Sequence, residues 1–323
     1  MDSSLLLRDL AGSHLEGAIV DRNHAQYDRL RRINNSLIER LPAAVVRARS
    51  TSDVQHVVRI AAQHGSLLAV RCGGHSFPGY STCDEGIVLD LSLLNHVTVD
   101  APARIAEVAG GALLGDVDAA GLEHGLVTPA GVVSHTGAGG LTLGGGMGWL
   151  SRRFGLTIDN LLGAELVTAD GRFVRASADE EPDLFWAIRG GGGNFGVVTK
   201  FRFLMHPLGA AMIRRWQYPV SEAPTVLRRF RDVLAGAPRE LTTVFVLMPN
   251  GLMITALCSG SSHGAEAALT PFGTLGHATS LSNGELTFLE LQRLSDERMA
   301  WGRRYYSKGD SLARSRIRRL RRS

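Results

Sequence analysis

The sequence is poor in the residues that build disulfide frameworks and cysteine-based metal sites. It has three cysteines, Cys72, Cys83 and Cys258, and no C-x-x-C pair. No apolar run reaches the roughly 20 residues that a transmembrane helix needs, and the N-terminus lacks the basic and apolar regions of a signal peptide. We therefore expect no disulfide framework, no metal site, no membrane partner and a cytoplasmic location.

Positive charge does not exceed negative charge outside the C-terminal end. Lys200 and Lys308 are the only lysines, and without the six arginines between Arg314 and Arg322 the formal net charge falls from +4 to −2. A nucleic-acid-binding protein is expected to carry a basic patch on its recognition element, and the sequence has none. We predict no nucleic-acid partner and a disordered, Arg-rich tail over residues 313–323. A basic interaction module that uses this tail is the weakest alternative function.

Glycine, in contrast, is abundant and clustered. The chain has 38 glycines, about 12% against a typical value of roughly 7%, and seven of them lie between Gly137 and Gly148. Glycine allows positive φ angles and close approach of the backbone to a ligand. So many in one run cost too much conformational entropy for a simple connection, so we expect this block to face a ligand.

A second glycine-containing segment, Arg71–Ser76, follows the predicted buried strand over residues 67–71. Consecutive small residues at such a place can direct several backbone N–H groups into one concavity, which suits a pyrophosphate. For this segment alone, a tight turn with a packed histidine is the alternative.

A third segment, Gly191–Gly196, matches the G-x-G-x-x-G pattern of nicotinamide dinucleotide-binding proteins. That pattern has its meaning only after a strand and before a helix. Here a predicted helix, Asp183–Ile188, comes first and a predicted strand, Val197–Phe203, follows, so the order is reversed and a nicotinamide site is disfavoured.

Short helices and strands alternate through the first two thirds of the chain. Hydrophobic spacing and turn residues predict helices over 51–65 and 114–122, strands over 87–91 and 104–109, and a hairpin over 164–176 that turns at Asp170-Gly171. Near residue 206 glycine thins out and aromatic residues increase. We place a domain boundary there.

Four segments, in order along the chain, resemble the flavin-dependent oxidoreductases with the PCMH-type, vanillyl-alcohol-oxidase-like FAD-binding fold. Within that group the chain is similar to the bacterial berberine-bridge-enzyme-like family. The segments are Val70–Ser76 with Gly79–Ser81; Ile87–Ser92; Gly131–Asn160; and Ala169–Gly171 with Asp183–Trp186 and Arg189–Thr199. The match is dense over residues 40–205 and weak as far as about residue 310.

This resemblance implies an α+β fold. A PCMH-type FAD-binding domain of two α/β subdomains would occupy residues 1–206. An incomplete α+β substrate domain with an antiparallel sheet would occupy residues 207–312.

The resemblance also implies FAD as the cofactor. His75 matches the histidine that bonds covalently to the flavin 8α-methyl group, a substitution that raises the flavin's potential. Gly196 and Val198 would approach the adenine end through backbone groups. The full set of implied cofactor-binding residues is Arg71, Cys72, Gly73, Gly74, His75, Ser76, Gly79, Tyr80, Val133, Ser134, Gly137, Gly140, Gly144, Gly145, Gly148, Gly196 and Val198.

Two departures from the family pattern matter. Many members hold the flavin by a second bond, from a cysteine whose position here is Val133, so we predict a single link, through His75. His135 is expected to line or support the pocket. The family's substrate domain also runs well past residue 323 and normally supplies the catalytic base, so the chain resembles a C-terminally truncated member. Tyr305 and Tyr306 are candidates for facing the site, but neither is identified as a base.

The function implied is hydride transfer from an alcohol, sugar or amine-type carbon of a small-molecule substrate to covalently bound flavin. Oxygen or another electron acceptor would then reoxidise the flavin. The alternative is a catalytically incomplete FAD-binding remnant. No motif specifies the substrate or the oligomeric state.

Overall fold

The computed structural model describes residues 3–260 and 262–309, so the predicted Arg-rich tail over residues 313–323 lies outside the described residues. Two compact units are present. Unit 1 contains the chain up to Ser151, then Gly155–Pro207 and Leu291–Tyr306, whereas unit 2 contains Arg152–Phe154 and Leu208–Glu290. The return of residues 291–306 to unit 1 was not predicted from the sequence.

Unit 1 holds most of the secondary structure. Its helices are α1 Ser3–Gly12, α2 Tyr27–Leu30, α3 Thr51–Gln63, α4 Leu114–Leu122, α5 Ala138–Leu143 and α7 Pro182–Ile188. Its strands are β1 Ala18–Asp21, β2 Ala44–Arg47, β3 Leu68–Arg71, β4 Ile87–Asp90, β5 Val97–Asp100, β6 Ile105–Ala109, β7 Leu126–Val127, β8 Leu161–Val167, β9 Phe173–Ser177, β10 Val197–Leu204 and β11 His206–Pro207. In the short helix α6, Ser151–Phe154, the first residue belongs to unit 1 and the other three belong to unit 2.

The first sheet of unit 1 has the order β1-β2-β4-β3, with β2, β4 and β3 parallel and β1 antiparallel at one edge. Helix α3 connects β2 to β3. It begins where the Ser50 side chain accepts a hydrogen bond from the Asp53 N–H, and its apolar face packs into the core against β4. Gly65, at φ +57°, follows the helix end as predicted. This βαβ unit fixes where β3 ends, and therefore where the Arg71–Ser76 segment begins.

The second sheet of unit 1 has the order β5-β6-β10-β8-β9, and all its pairs are antiparallel. The predicted hairpin is confirmed as β8 and β9. Gly171 takes a φ of +77° at its turn, where the Thr168 N–H donates to the Arg172 carbonyl at 3.0 Å. Phe201 and Phe203 of β10 stack in the core of this half.

Unit 2 is built on one antiparallel sheet. Its strands are β12 Ala211–Tyr218, β13 Leu241–Met248, β14 Gly251–Cys258 and β15 Thr279–Leu286, in the order β13-β14-β12-β15. Helices α8 Ala223–Ala235 and α9 Ser262–Leu269 contribute to the same hydrophobic core as the sheet. The structure thus confirms the α+β class and the antiparallel sheet of the second part.

Helix α10, Phe288–Arg293, leads back into unit 1, where two buried asparagines hold the returning segment. The Asn34 side-chain amide donates to the Met299 carbonyl at 3.0 Å. Asn35 donates to the Tyr305 carbonyl at 3.0 Å and accepts from its N–H at 2.9 Å. The Tyr305 ring stacks on Phe77, with centroids 5.2 Å apart. These contacts place residues 294–306 beside the segment that follows β3.

Candidate cofactor site

Two glycines bring the two predicted loops of unit 1 into direct backbone contact. A Cβ atom on Gly73 would lie 2.2 Å from the backbone nitrogen of Gly137, and one on Gly137 would lie 2.3 Å from that of Gly73. No side chain fits at either position without moving the backbone. The sequence therefore needs glycine at both positions to join these loops.

The loop of residues 133–138 is fixed in turn by the segment that begins α4. The N–H of Leu114 donates to the Thr136 carbonyl at 2.9 Å, and the N–H of Gly115 donates to the Ser134 carbonyl at 2.8 Å. Local backbone hydrogen bonds thus hold Ser134 and His135 in place beside residues 72–76.

Three successive backbone donors in this loop are unpaired. Among the hydrogen bonds of the described residues, none uses the N–H groups of Gly74, His75 or Ser76. Gly74 has a φ of +66°, which turns the chain between its neighbours. A run of unpaired donors at such a turn forms an anion-binding concavity, so these residues fit a pyrophosphate group.

The glycine block divides into open and packed positions. A Cβ atom on Gly140 or Gly145 would have no protein atom within 4 Å, and one on Gly144 would meet only atoms at 3.5 Å or beyond. At Gly148, in contrast, it would lie 1.8 Å from the Ala130 carbonyl oxygen. Gly137 and Gly148 are therefore needed for close backbone packing within the protein. Around Gly140 the backbone is uncovered and leaves room for a flat ligand.

His75 pairs with a second histidine. Its Nε2 atom lies 2.7 Å from Nδ1 of His135, and the ring centroids are 4.7 Å apart. Burial, followed by the charge of His135, lowers the pKa of His75 to about 4, while Asp296 opposes this shift. The imidazole of His75 is therefore neutral at pH 7.

Asp296, from the returning segment, holds the next residue of the loop. Its carboxylate accepts hydrogen bonds from the Ser134 N–H at 2.9 Å and from the Ser134 hydroxyl at 2.5 Å. Its backbone carbonyl lies 3.5 Å from Nε2 of His135. Sequence reasoning missed this contact because 162 positions separate the partners, and only the Ser134-His135 dipeptide gave a local signal.

The side chain of Arg71 has a structural role in this arrangement. Its guanidinium donates to the carbonyls of Leu30 and Arg32 and forms a buried ion pair with Asp90 at 2.9 Å. The neighbouring guanidinium holds the pKa of Asp90 below its usual value, although burial opposes the effect. Three of the five guanidinium N–H groups are thus bonded inside the protein, so the Arg71 side chain supports the loop.

Cys72 and Val133 are the two positions at which a second covalent bond would be sought. The Cys72 thiol donates to the Ala112 carbonyl at 3.3 Å, and burial raises its pKa to about 11. It is therefore protonated at pH 7 and is a poor nucleophile. Val133 is buried and offers no reactive atom.

The remaining predicted contacts are Gly79, Tyr80, Gly196 and Val198. Gly79 has a φ of +89°, and Tyr80 is 81% exposed, with its N–H bonded to the Ser76 hydroxyl. Gly196 also needs a positive φ, and a Cβ there would lie 2.5 Å from the Val167 carbonyl oxygen. The Val198 side chain is buried in the core, so the predicted contact of this residue with a ligand would have to use its backbone.

The tyrosines do not supply an obvious base. The Tyr305 hydroxyl donates to the Ala300 carbonyl at 2.6 Å, and Tyr306 is 87% exposed. Tyr218 is fully buried in unit 2, where it donates to the Phe272 carbonyl.

Two structural searches complete the description. In the part of the chain that the structure describes, no three histidine, cysteine, aspartate or glutamate residues are grouped to hold a metal ion. Over the same residues, none of the helices combines the length and hydrophobicity needed to cross a membrane.

Comparisons with known proteins agree with this geometry. Residues 42–177 match a family described as an FAD binding domain. An FAD-linked oxidoreductase from Dictyostelium discoideum is 32% identical over 298 residues, which cover 91% of this chain and 66% of the relative.

Two solved structures illustrate the likeness. The first, 6-hydroxy-D-nicotine oxidase from Arthrobacter nicotinovorans, has a TM-score of 0.82 at 34% identity. The match covers 88% of this chain and 64% of the oxidase chain. The second, glucooligosaccharide oxidase from Acremonium strictum, has a TM-score of 0.80 at 27% identity, and the match covers 89% of this chain and 62% of the oxidase. That oxidase is described with a 6-S-cysteinyl, 8α-N1-histidyl FAD. The chain thus spans at most about two thirds of the length of these relatives.

Proposed function

Because the chain belongs to the PCMH-type, berberine-bridge-enzyme-like family of FAD-linked oxidoreductases, we propose that it binds FAD through unit 1, with His75 as the single covalent tether. We propose further that it oxidises a small molecule at an alcohol, sugar or amine-type carbon. Bound FAD would supply the chemistry by accepting a hydride and passing the electrons to oxygen or another acceptor.

The observation that carries this proposal is the set of unpaired N–H groups from Gly74 to Ser76. Three adjacent donors at one turn favour a group with several anionic oxygens, and the pyrophosphate of FAD is such a group. The exposed backbone around Gly140 and Gly144 would accept the flat parts of the cofactor. We assign the other residues of the predicted set to the same surface, with Arg71 and Gly148 as supports.

His75 is suited to the tether because it is neutral and its ring is directed by His135. A protonated imidazole has no lone pair with which to form a bond to carbon. Val133 has no thiol and the Cys72 thiol is protonated, so these two positions offer no thiolate for a second bond, which supports one link. The histidyl FAD described for the Acremonium enzyme makes the same kind of link plausible in this chain.

The experiment is to express the full chain, supply FAD and precipitate the protein with acid. Yellow colour that stays with the precipitate supports a covalent flavin. His75→Ala should release the colour into the supernatant, although the variant still binds FAD before precipitation. A wild-type protein that binds no FAD at all refutes the proposal.

A second step tests oxidation. The flavin-loaded protein is mixed without oxygen with a panel of alcohols, oligosaccharides and cyclic amines, and loss of the yellow colour identifies a substrate. The chain covers 62–66% of the relatives quoted above, so a protein that holds flavin but is bleached by none of the panel would support the alternative, an FAD-binding protein without turnover.

A further inference from the structure

Residues 294–302 of the returning segment, which we call the strap, contact both loops of the candidate cofactor site. The Asp296 carboxylate accepts hydrogen bonds from the N–H and the hydroxyl of Ser134, at 2.9 and 2.5 Å. Further along, the Trp301 ring lies against Gly74, since a Cβ atom on that glycine would be 3.0 Å from the ring. One short stretch of unit 1 thus reaches the loop after β3 and the loop of residues 133–138.

The C-terminal end of the strap is anchored elsewhere in unit 1. The Met299 carbonyl accepts from the Asn34 side-chain amide at 3.0 Å, and the Gly302 N–H donates to the Asn34 carbonyl at 3.1 Å. Gly302 has a φ of +83°, which glycine adopts at little cost. Asn34 therefore holds the end of the strap, whereas its beginning reaches the loop of residues 133–138 through Asp296.

Asp296 takes up a donor of the predicted cofactor surface. Ser134 is one of the predicted cofactor-binding residues, and a residue has a single backbone N–H. That group cannot donate to Asp296 and to a cofactor at full strength together. The carboxylate also has the same sign of charge as a pyrophosphate, so the two repel each other when both lie at these loops.

The donors of the other loop are in a different state. The N–H groups of Gly74, His75 and Ser76 are unpaired among the described residues, whereas Ser134 already holds an anionic oxygen that the protein itself supplies. A backbone N–H that donates to a carboxylate forms a charge-assisted hydrogen bond, as it would with a phosphate oxygen. The charge of Asp296 also acts on His75, where it opposes the lowering of the pKa, so the carboxylate and the predicted tether share one local environment.

We propose that the strap is an autoinhibitory element, in which Asp296 occupies part of the cofactor surface until FAD displaces it. The N–H and hydroxyl of Ser134 then pass from the carboxylate to the cofactor, and residues 294–298 move away while the Asn34 anchor is kept. This inference rests on the proposed function, because it takes FAD as the ligand of these loops. A brace that supports the loop for FAD would have effects of the opposite sign.

Affinity for FAD separates the two roles. Asp296→Ala removes the competing carboxylate, Asp296→Asn removes its charge at nearly equal size, and the matched control Glu297→Gln removes a charge from the exposed neighbouring residue. Each change is made in the His75→Ala background, so that flavin fluorescence reports a reversible dissociation constant. Because hydrogen bonds to a charged group are stronger than ordinary ones, we expect binding to be about tenfold tighter in Asp296→Ala, about threefold tighter in Asp296→Asn and changed by less than about twofold in Glu297→Gln.

Unchanged or weaker binding in Asp296→Ala would overturn the inference and identify Asp296 as a support of the loop, while the proposed function would stand. An equal gain in Glu297→Gln would also overturn it, because the cause would then be net charge. If neither the His75→Ala parent nor its Asp296→Ala derivative binds FAD, the proposed function fails and the inference fails with it.

Trypsin cleavage after Arg298, an exposed residue of the strap, tests the movement itself. Without FAD, we expect Asp296→Ala to be cleaved there about threefold faster than the wild type, because local opening becomes easier. FAD should accelerate cleavage of the wild type at the same site. Cleavage after Arg228, an exposed residue of helix α8 in unit 2, should keep the same rate in all samples and controls for global unfolding. Protection of Arg298 by FAD would overturn the inference, because the cofactor would then fix the strap in place.

Discussion

Gly140→Ala should stabilise the FAD-free protein and weaken its binding of FAD. Gly140 lies within helix α5, is exposed, and has an ordinary helical backbone, and a Cβ atom there would meet no protein atom within 4 Å. Alanine in place of a helical glycine contributes up to about 1 kcal/mol to the free energy of unfolding. If Gly140 served only the fold, the substitution would therefore raise the free energy of unfolding and cost nothing else.

The effect on FAD has the opposite sign if the cofactor lies on this backbone. A methyl group forced into a filled contact costs about 2 kcal/mol, which corresponds to roughly 30-fold weaker binding. The affinity should be measured by flavin fluorescence in a His75→Ala background, so that the tether does not hide a change in the dissociation constant. Urea denaturation of the FAD-free protein gives the stability.

Gly12→Ala is the matched control. Gly12 ends helix α1, is exposed, and likewise has no atom within 4 Å of an added Cβ. This variant should leave FAD affinity unchanged, because the position lies outside the predicted site. An FAD affinity in Gly140→Ala within twofold of its parent would refute the placement of the cofactor on the glycine block.

Three further outcomes follow from buried groups of unit 1. Burial raises the pKa of Asp118 well above its ordinary value, so ionisation of this carboxyl group is less favourable in the folded than in the unfolded protein and costs stability as the pH rises; Asp118→Asn should stabilise by about 1 kcal/mol at pH 7, and a gain that persists at pH 3 in urea denaturation would contradict this cause. The pKa of His75 is lowered to about 4 from about 6.5 in the unfolded chain, so between these values only the unfolded state binds the proton and stability falls with falling pH. His75→Gln should therefore flatten the pH dependence between pH 7 and pH 4.5, and an unchanged slope would argue against a neutral His75. Asp90→Asn leaves the buried Arg71 guanidinium unpaired and should cost about 3–5 kcal/mol, whereas a thermal melt like that of the wild type would show that the ion pair is dispensable.

Local chemistry made much of unit 1 predictable. The Ser50 cap and Gly65 bound helix α3 within two residues of expectation, and Asp170-Gly171 marked the hairpin because a turn there needs a positive φ. The loop after β3 and the glycine block could be recognised for the same reason. Glycines that permit close backbone approach are a local requirement, and they remain visible in the sequence.

The pairing of His75 with His135, and of Ser134 with Asp296, could not be predicted in this way. Hydrophobic periodicity reports which face of an element is buried, but not which distant segment covers a loop. Residues 291–306 are held in unit 1 by hydrogen bonds from the side chains of Asn34 and Asn35 to the backbone of Met299 and Tyr305. Two adjacent asparagines form no periodic pattern that would reveal this contact in the sequence.

The same contacts connect the loop of residues 133–138 to a part of the chain far from the FAD motifs. Asp296 bonds to Ser134 and lies beside His135, and Asn34 and Asn35 hold the segment that carries Asp296. The surroundings of His75 thus include residues more than 200 positions away in the sequence, and the motif around His75 does not reveal them.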